Sequence, residues 1–223
     1  AKPGVGVVKV KASPDGKTIV FRLEWTDATR DLIPVSGKSA DAVAVQFPMA
    51  AGADVPNAAM GEAGKPVEIC YWKAVWQDDQ ERAKSGTDRV AALYPNMAVD
   101  HYPFKAGKEA QAEMEARYAP ARAAGNPITV RPQSGAVQEL MAEGFGSSAV
   151  PPEQHATGKG DWAQGSWAVT IARPLDEGAG RSSLVVGKKT YVAFAVWDGA
   201  ERNTGSRKMR SGWIPLVIEG AAK

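Results

Sequence analysis

Two loops, far apart in the sequence, carry side chains that can bind a metal. Met60 lies between the apolar segments 42–47 and 67–76, and Lys208 follows the apolar segment 193–197. Met60 offers a thioether, which is a soft and neutral ligand, and Lys208 offers an amine. An amine binds a metal only in its neutral form, so Lys208 would have to be partly buried, because burial lowers the pKa of a lysine. Two such side chains can meet over one metal centre.

Strand patterns dominate the chain and would have to position these two loops. Segments rich in Val, Ile, Phe, Tyr and Trp, bounded by Gly, Pro, Asp or Asn, predict strands. They span 5–12, 18–26, 42–47, 67–76, 137–143, 166–172, 190–197 and 213–218. Asp15-Gly16 predicts a hairpin between the first two strands. The uninterrupted apolar run at 193–197 predicts a central strand covered on both faces. The chain is therefore expected to be all-β.

The middle of the chain has a different pattern. The polar stretch 78–82 is typical of a surface segment, and 107–124, rich in Ala, Glu, Lys and Arg, predicts a helix that Pro120 ends or kinks. The segment 144–165 is rich in Gly, Pro and Ser and predicts a loop. We expect a single domain over residues 1–223, with an insertion at about 77–136.

Composition excludes several classes of function. With 27 Lys and Arg against 25 Asp and Glu, the formal net charge is +2, which gives no electrostatic case for nucleic acid. No apolar run approaches the roughly 20 residues of a membrane-spanning helix. Cys70 is the only cysteine, so neither a disulfide within the chain, nor a Cys-x-x-Cys-His haem attachment, nor a cysteine-bound iron–sulfur cluster can form. We find no nucleotide-binding Gly-rich loop, Gly-x-Ser-x-Gly elbow or paired carboxylate motif that would indicate an independent enzyme.

An ordered set of motifs runs through nearly the whole chain. It comprises VAVQFP (43–48), Met60-Gly61, YWKA (71–74), YPNM (94–97), DHYP (100–103), QELMAEG (138–144), 167–175, FAVWDG (194–199) and RKMRSGW (207–213). This set resembles the haem b gamma subunits of ethylbenzene dehydrogenase and its relatives, which include dimethylsulfide dehydrogenase, selenate reductase and chlorate reductase. These proteins belong to complexes of the type II dimethyl sulfoxide reductase family.

The resemblance implies a fold and a cofactor. The fold would be an immunoglobulin-like β-sandwich, similar to haem-binding DOMON domains, with one non-covalent haem b in an apolar pocket at one end of the sandwich. Met60 and Lys208 would be the axial ligands; Met97 or His101 could replace one of them, and His155 is a weaker alternative. Arg207 is a poor ligand because it is never deprotonated. The porphyrin slot would be lined by Val43, Val45, Phe47, Tyr71, Trp72, Phe194, Val196 and Trp213, and Lys73, Arg202, Arg207 and Arg210 could meet the propionates.

The resemblance also implies a function. The chain would be a non-catalytic electron-transfer subunit of a periplasmic molybdenum oxidoreductase, in a heterotrimer with a molybdenum-cofactor catalytic subunit and an iron–sulfur subunit. It would relay electrons between the iron–sulfur clusters and a soluble c-type cytochrome. The start at Ala1, without an initiator Met, fits a cleaved signal peptide or an engineered start equally well. A stand-alone haem shuttle or sensor, and a haem-free β-sandwich binding module, are the alternatives.

Overall fold

The computed structural model describes residues 4–32, 37–50, 54–86, 124 and 135–219. In these ranges the chain forms ten strands and one helix. The strands are β1 (Lys9–Pro14), β2 (Thr18–Thr26), β3 (Ala42–Pro48), β4 (Val67–Lys73), β5 (Val137–Ala142), β6 (Thr157–Ala163), β7 (Ser166–Pro174), β8 (Lys189–Trp197), β9 (Met209–Arg210) and β10 (Ile214–Val217), and the helix is α1 (Ala74–Lys84).

The strands form two antiparallel sheets that pack face to face. One sheet has four strands in the order β1-β2-β7-β6. The other has six, in the order β10-β8-β3-β4-β5, with β9 paired to β8. One hydrophobic core, which draws side chains from both sheets, fills the space between them. The predicted all-β sandwich is confirmed.

Alternation along the strands separates the core from the outer faces. Phe21 of β2 packs against Phe47 of β3 with ring centroids 5.7 Å apart, and Trp72 of β4 packs against Trp167 of β7 at 5.2 Å. The predicted hairpin is also confirmed, because β1 pairs with β2 around Asp15-Gly16.

The helix α1 corrects the prediction that a strand runs from 67 to 76. β4 ends at Lys73 and the chain turns directly into α1, because Gln, Asp, Glu, Arg and Lys after Trp76 favour a helix over a strand. The segment 78–82 is part of this helix, and Asp78 is buried and paired with Arg82 at 2.8 Å. Gln77 fixes the helix to the sandwich: its Oε1 accepts hydrogen bonds from Trp72 Nε1 and from the Gly160 amide. The predicted helix at 107–124 lies outside the described residues, apart from the single residue 124.

The strand β6 corrects the prediction of a loop over 144–165. Its glycines obscure the strand pattern but have a packing role. A Cβ on Gly160 would lie 2.4 Å from the Trp72 ring, and a Cβ on Gly158 would lie 2.7 Å from the Thr170 carbonyl oxygen. β6 therefore uses glycine to make room for large neighbours in the core.

A buried ionic network occupies inner positions of the sandwich on β4, β5 and β7. Arg173 lies 3.2 Å from Glu68, and Arg181 lies 2.7 Å from Glu68 and 3.0 Å from Glu139. Arg181 also contacts Glu177. Three carboxylates thus face two guanidinium groups, which leaves one excess negative charge. Burial accordingly raises the pKa of Glu177 to about 7, and Glu68 and Glu139 add to the effect.

Within the described residues, no helix has the length and apolar character needed to cross a membrane.

Candidate cofactor site

A cavity of about 300 Å³ lies over the outer face of the six-stranded sheet. Its walls come from β3, β4, β5 and β8, at positions that alternate with the core-facing ones, and from the loops that carry Met60 and Lys208. The lining residues are Ala44, Gln46, Ala58, Met60, Ile69, Tyr71, Lys73, Trp76, Gln138, Leu140, Ser148, Ala193, Phe194, Ala195, Trp197, Thr204, Gly205, Lys208 and Arg210.

Small side chains form the floor of the cavity. Ala44 of β3 pairs with Ala195 of β8, and Gln46 pairs with Ala193. The amide nitrogen of Gln46 donates a hydrogen bond of 3.1 Å to the Ala58 carbonyl, which holds the loop of Met60 against β3. A floor of alanines between larger walls leaves space above the sheet for a flat apolar group.

Aromatic rings form one wall of the cavity. The Tyr71 ring lies 4.9 Å from Trp197 and 5.5 Å from Trp76. The Lys73 ammonium lies 5.0 Å from the Tyr71 centroid and 4.8 Å from the Trp76 centroid. Burial raises the pKa of Tyr71, so its hydroxyl stays protonated. The wall is therefore apolar, with a cation at its edge.

The Met60 loop is held in an uncommon backbone conformation. Met60 has φ 76° and Gly61 has φ 79°, both in the left-handed region. Met60 is half-buried, and its carbonyl accepts a hydrogen bond of 2.8 Å from the Gly144 amide. A Cβ on Gly61 would lie 2.9 Å from the carbonyl oxygens of both Ala142 and Lys65. A non-glycine residue with positive φ persists only when its surroundings enforce it, and such strain is common at functional sites.

The connection from β8 to β9 brings Lys208 to the cavity. The Trp197 indole N–H donates a hydrogen bond of 3.0 Å to the Gly205 carbonyl, which folds the connection back on β8. β9 then pairs with β8 through Val196 and Met209. As a result the Lys208 ammonium lies 5.0 Å from the centroid of the Trp197 ring.

The environment of Lys208 makes its ammonium easier to deprotonate than that of an exposed lysine. Burial lowers the pKa of its ammonium, and the nearby Arg210 lowers it further. Among the described lining residues, Met60 supplies the only thioether, and amines come from Lys73 and Lys208. A thioether and a nitrogen donor of lowered pKa at one apolar cavity form a donor set for a soft or borderline metal.

Comparison with known proteins places the chain in a family. The family model described as ethylbenzene dehydrogenase matches residues 1–209. The chain belongs to this family. A curated relative from Haloferax mediterranei, the "putative respiratory nitrate reductase heme subunit ORF7", is 23% identical over 212 residues. The match covers 94% of this chain and 55% of the relative, so the chain spans about half the length of the curated relative it matches. The family suggested by the sequence motifs is thus confirmed.

Several of the residues predicted from the sequence to form the cofactor site lie together at the cavity. Met60, Lys208, Tyr71 and Phe194 all line the cavity. The Phe194 ring itself packs against Phe21 in the core at 6.1 Å, so only part of this residue borders the cavity. Of the predicted propionate partners, Lys73 and Arg210 line the cavity, whereas Arg202 and Arg207 do not.

Other predicted residues lie elsewhere. Phe47 and Trp72 are fully buried between the two sheets. Phe47 lies on the inward face of β3 with Val43 and Val45, and Trp72 lies opposite Val43 on the inward face of β4. Trp213 packs beside the cavity rather than lining it, and its indole N–H donates a hydrogen bond of 2.6 Å to the Pro56 carbonyl.

Of the predicted alternative ligands, the described residue His155 is not part of the cavity lining. His155 contacts Glu153 and Glu177. Met97 and His101 lie outside the described residues.

Sequence reasoning missed the residues that make the cavity spacious. Four residues that line the cavity were absent from the predicted slot: Ala44, Ala195, Gln138 and Trp197. The signal was available: two alanines two residues apart occur in β3, at 42 and 44, and two more in β8, at 193 and 195. Small residues on one face of two neighbouring central strands indicate that something other than the protein's own side chains covers that face.

Proposed function

We propose that this chain binds one haem b non-covalently in the cavity and is the electron-transfer subunit of a molybdenum oxidoreductase complex. One observation carries the proposal: Met60 and Lys208, from loops 148 residues apart, border the same apolar cavity on the outer face of the sheet. Family membership and the haem subunit among the relatives support it. With a single cysteine in the chain, haem has to be held non-covalently.

The donor set and the cavity suit this cofactor. When bound, haem supplies a centre that accepts and releases one electron. The Met60 thioether would favour reduced iron and raise the potential. Lys208 would bind as the neutral amine, which its burial promotes. If Met60 and Lys208 both bind the iron, they would leave no coordination site for a substrate, which supports a role in electron transfer rather than catalysis.

The other lining residues would hold and shield the porphyrin. Ala44 and Ala195 leave room above the sheet, and Tyr71 and Trp197 give an apolar wall that excludes water. Lys73 and Arg210 are the cations on the lining that can neutralise the propionates. Haem binding would thus combine burial of the macrocycle with charge pairing at its edge.

The proposed partners follow from the family and from the relative's name. They are a molybdenum-cofactor catalytic subunit and an iron–sulfur subunit in a heterotrimer, with a soluble c-type cytochrome as the redox partner in the periplasm. The support is membership of the ethylbenzene dehydrogenase family and similarity to a protein named as a nitrate reductase haem subunit. Electron flow would run outward if the catalytic subunit is a dehydrogenase and inward if it is a reductase.

Titration of the purified chain with haemin tests cofactor binding. A Soret band that saturates at one haemin per chain, with a b-type pyridine haemochromogen spectrum, is the expected result. Absence of saturable binding would overturn the haem proposal. The subunit role is tested separately by purifying the tagged chain from its native host. Stoichiometric molybdenum and iron–sulfur clusters should accompany it, whereas a haem-loaded chain without molybdenum would contradict membership of the complex.

A further inference from the structure

Four aspartates meet at one end of the sandwich, away from the walls of the cavity. Asp27 directly follows β2, Asp31 lies in the β2–β3 connection, Asp41 directly precedes β3, and Asp198 directly follows β8. One carboxylate oxygen from each residue lies within 4.8 Å of the corresponding oxygen of the other three. Asp27, Asp41 and Asp198 are buried, with 4%, 0% and 8% of their surface exposed, and Asp31 is half-buried.

Within the part of the chain that the structure describes, no full positive charge pairs with this group. Among the ion pairs of the described residues, none involves any of the four aspartates. The groups that contact Asp41 are neutral donors. Its Oδ1 accepts from the Gly199 amide at 2.8 Å, and its Oδ2 accepts from the Asp31 amide at 2.7 Å and from the Trp167 indole at 3.0 Å. These hydrogen bonds orient the Asp41 carboxylate, but they do not neutralise the negative charge of the other three aspartates.

Asp27 supplies the observation that points to a ligand. Its Oδ1 accepts a hydrogen bond of 3.1 Å from the Thr29 amide, but its Oδ2 has no hydrogen-bond partner although the residue is 4% exposed. A buried carboxylate oxygen without a partner is costly and rare in folded proteins. The Trp25 indole N–H, a neutral donor two residues away, also lacks a hydrogen-bond partner among the described residues. The other members of the cluster are carboxylates, so a cation would satisfy the charge of Asp27.

We propose that Asp27, Asp31, Asp41 and Asp198 bind a calcium ion. Calcium takes six to eight oxygen ligands at about 2.3–2.6 Å, so ligands on opposite sides of the ion lie about 4.8 Å apart. The four carboxylate oxygens all lie within that distance of one another. Carboxylate oxygens without histidine or cysteine are ligands for a hard cation rather than for zinc or copper. Water or backbone carbonyls would complete the shell.

Calcium would join three parts of the chain. It would tie the β2–β3 connection and the start of β3 to Asp198, which opens the segment 198–208 that carries Lys208. Gly199 already packs closely here, because a Cβ on it would lie 2.3 Å from the Ser39 carbonyl oxygen. The ion would complete a junction at the end of the sandwich, and its binding does not depend on the proposed haem.

Calorimetric titration of the full chain with Ca²⁺, after EGTA treatment, tests the proposal. One ion per chain should bind, and Ca²⁺ at 100 times its Kd should raise Tm by about 5–10 °C. Terbium offers a second probe: excitation of the indole of Trp167 should sensitise Tb³⁺ luminescence that Ca²⁺ abolishes, since its N–H bonds Asp41 directly. No heat and no Tm shift at millimolar Ca²⁺ would overturn the proposal.

Matched variants locate the ion. Asp27→Asn and Asp198→Asn should each weaken Ca²⁺ binding at least tenfold, whereas Asp176→Asn, an exposed aspartate outside the cluster, should bind as the unmodified chain does. Full affinity in both cluster variants would place the ion elsewhere and refute the assignment. If one variant does not fold, the terbium competition on the unmodified chain still decides whether the site exists.

Discussion

Ala44 of β3 lies directly opposite Ala195 of β8, and both residues border the cavity on the outer face of the sheet. The same two strands place Val43 and Val196 opposite each other on the inner face, where both are fully buried in the core. The central strand pair is therefore covered on its inner side by the other sheet, while its outer side carries small residues beneath an open volume. This difference between the two faces is what makes a cofactor site possible.

Filling the floor of the cavity should block haem without unfolding the protein. Ala195→Leu adds a bulky side chain where the porphyrin would lie, so we expect at least a tenfold loss of haemin affinity. The free energy of unfolding of the haem-free chain should change by less than about 1 kcal/mol, since the outer face is not close-packed. Ala168→Leu, on the outer face of β7, is the matched control and should bind haemin normally. Equal haemin affinity of the two variants would show that haem does not lie over Ala195.

The backbone at Gly61 should control the position of Met60. Gly61→Ala puts a Cβ 2.9 Å from two carbonyl oxygens at a φ of 79°, so the loop has to shift. We expect a loss of about 1–3 kcal/mol in unfolding free energy and weaker ligation by Met60, seen as a loss of low-spin character in the haem spectrum. Gly64→Ala is the control, because Gly64 has a φ of 76° but no atom near its Cβ position. If both variants keep the low-spin spectrum, the Met60 backbone does not position a ligand.

The buried ionic network should make stability depend on pH. The pKa of Glu177 is raised from its ordinary value of 4.5 to about 7. Between these values the native state holds a proton that the unfolded state has released, so the unfolding free energy falls as the pH rises through this window. At 1.36 kcal/mol per unit of pKa shift, the full shift corresponds to about 3 kcal/mol. Solvent screens part of this interaction, so the loss due to Glu177 should be about 1–2 kcal/mol.

Urea unfolding at pH 5 and pH 7.5 measures this loss. Glu177→Gln keeps this side chain neutral at both pH values. It should therefore reduce the change in unfolding free energy between pH 5 and pH 7.5 by the amount that Glu177 contributes. The exposed neighbour Asp176, changed to Asn, should leave the dependence as it is. If the unfolding free energy of Glu177→Gln changes with pH as much as that of the unmodified chain, another carboxyl of the network holds the proton.

The contact between β6 and Trp72 should be intolerant of one added methyl group. Gly160→Ala places a Cβ 2.4 Å from the Trp72 ring, and overpacking of a core costs about 1–3 kcal/mol. Gly212→Ala, where no atom lies within 4 Å of the Cβ position, is the control. Denaturant unfolding should show a lower midpoint for Gly160→Ala alone. Unchanged stability would indicate that Trp72 can move away from β6.

Much of the sandwich could be predicted because most strands alternate between buried and exposed positions. β2 is the clearest example, with Phe21, Leu23 and Trp25 buried. β6 could not be predicted, because Gly158 and Gly160 remove the apolar signal from positions that face the core. The inward packing of Trp72 depends on those same glycines, which are distant in the sequence.

The slot residues on β4 could not be assigned from sequence for a related reason. One face of β4 packs in the core and the other borders the cavity, so residues of both faces are buried and the sequence shows no alternation of apolar and polar residues. Tyr71 and Trp72 are adjacent aromatics, and only the pairing of Tyr71 with Ala44 shows that Tyr71 faces the cavity. The aspartate cluster was equally hidden, because its members are spread from position 27 to position 198 and meet only in the folded chain.

The most direct test of the central claim is the optical spectrum of the haem-loaded chain, oxidised and dithionite-reduced, beside Met60→Ala and Lys208→Ala. Arg207→Ala and Met209→Ala are controls, since neither residue lines the cavity. We predict a sharp low-spin reduced spectrum in the unmodified chain and in both controls, and a high-spin spectrum in each of the two ligand variants. A low-spin spectrum that neither Met60→Ala nor Lys208→Ala alters would contradict the account, because the iron would then be held by other residues.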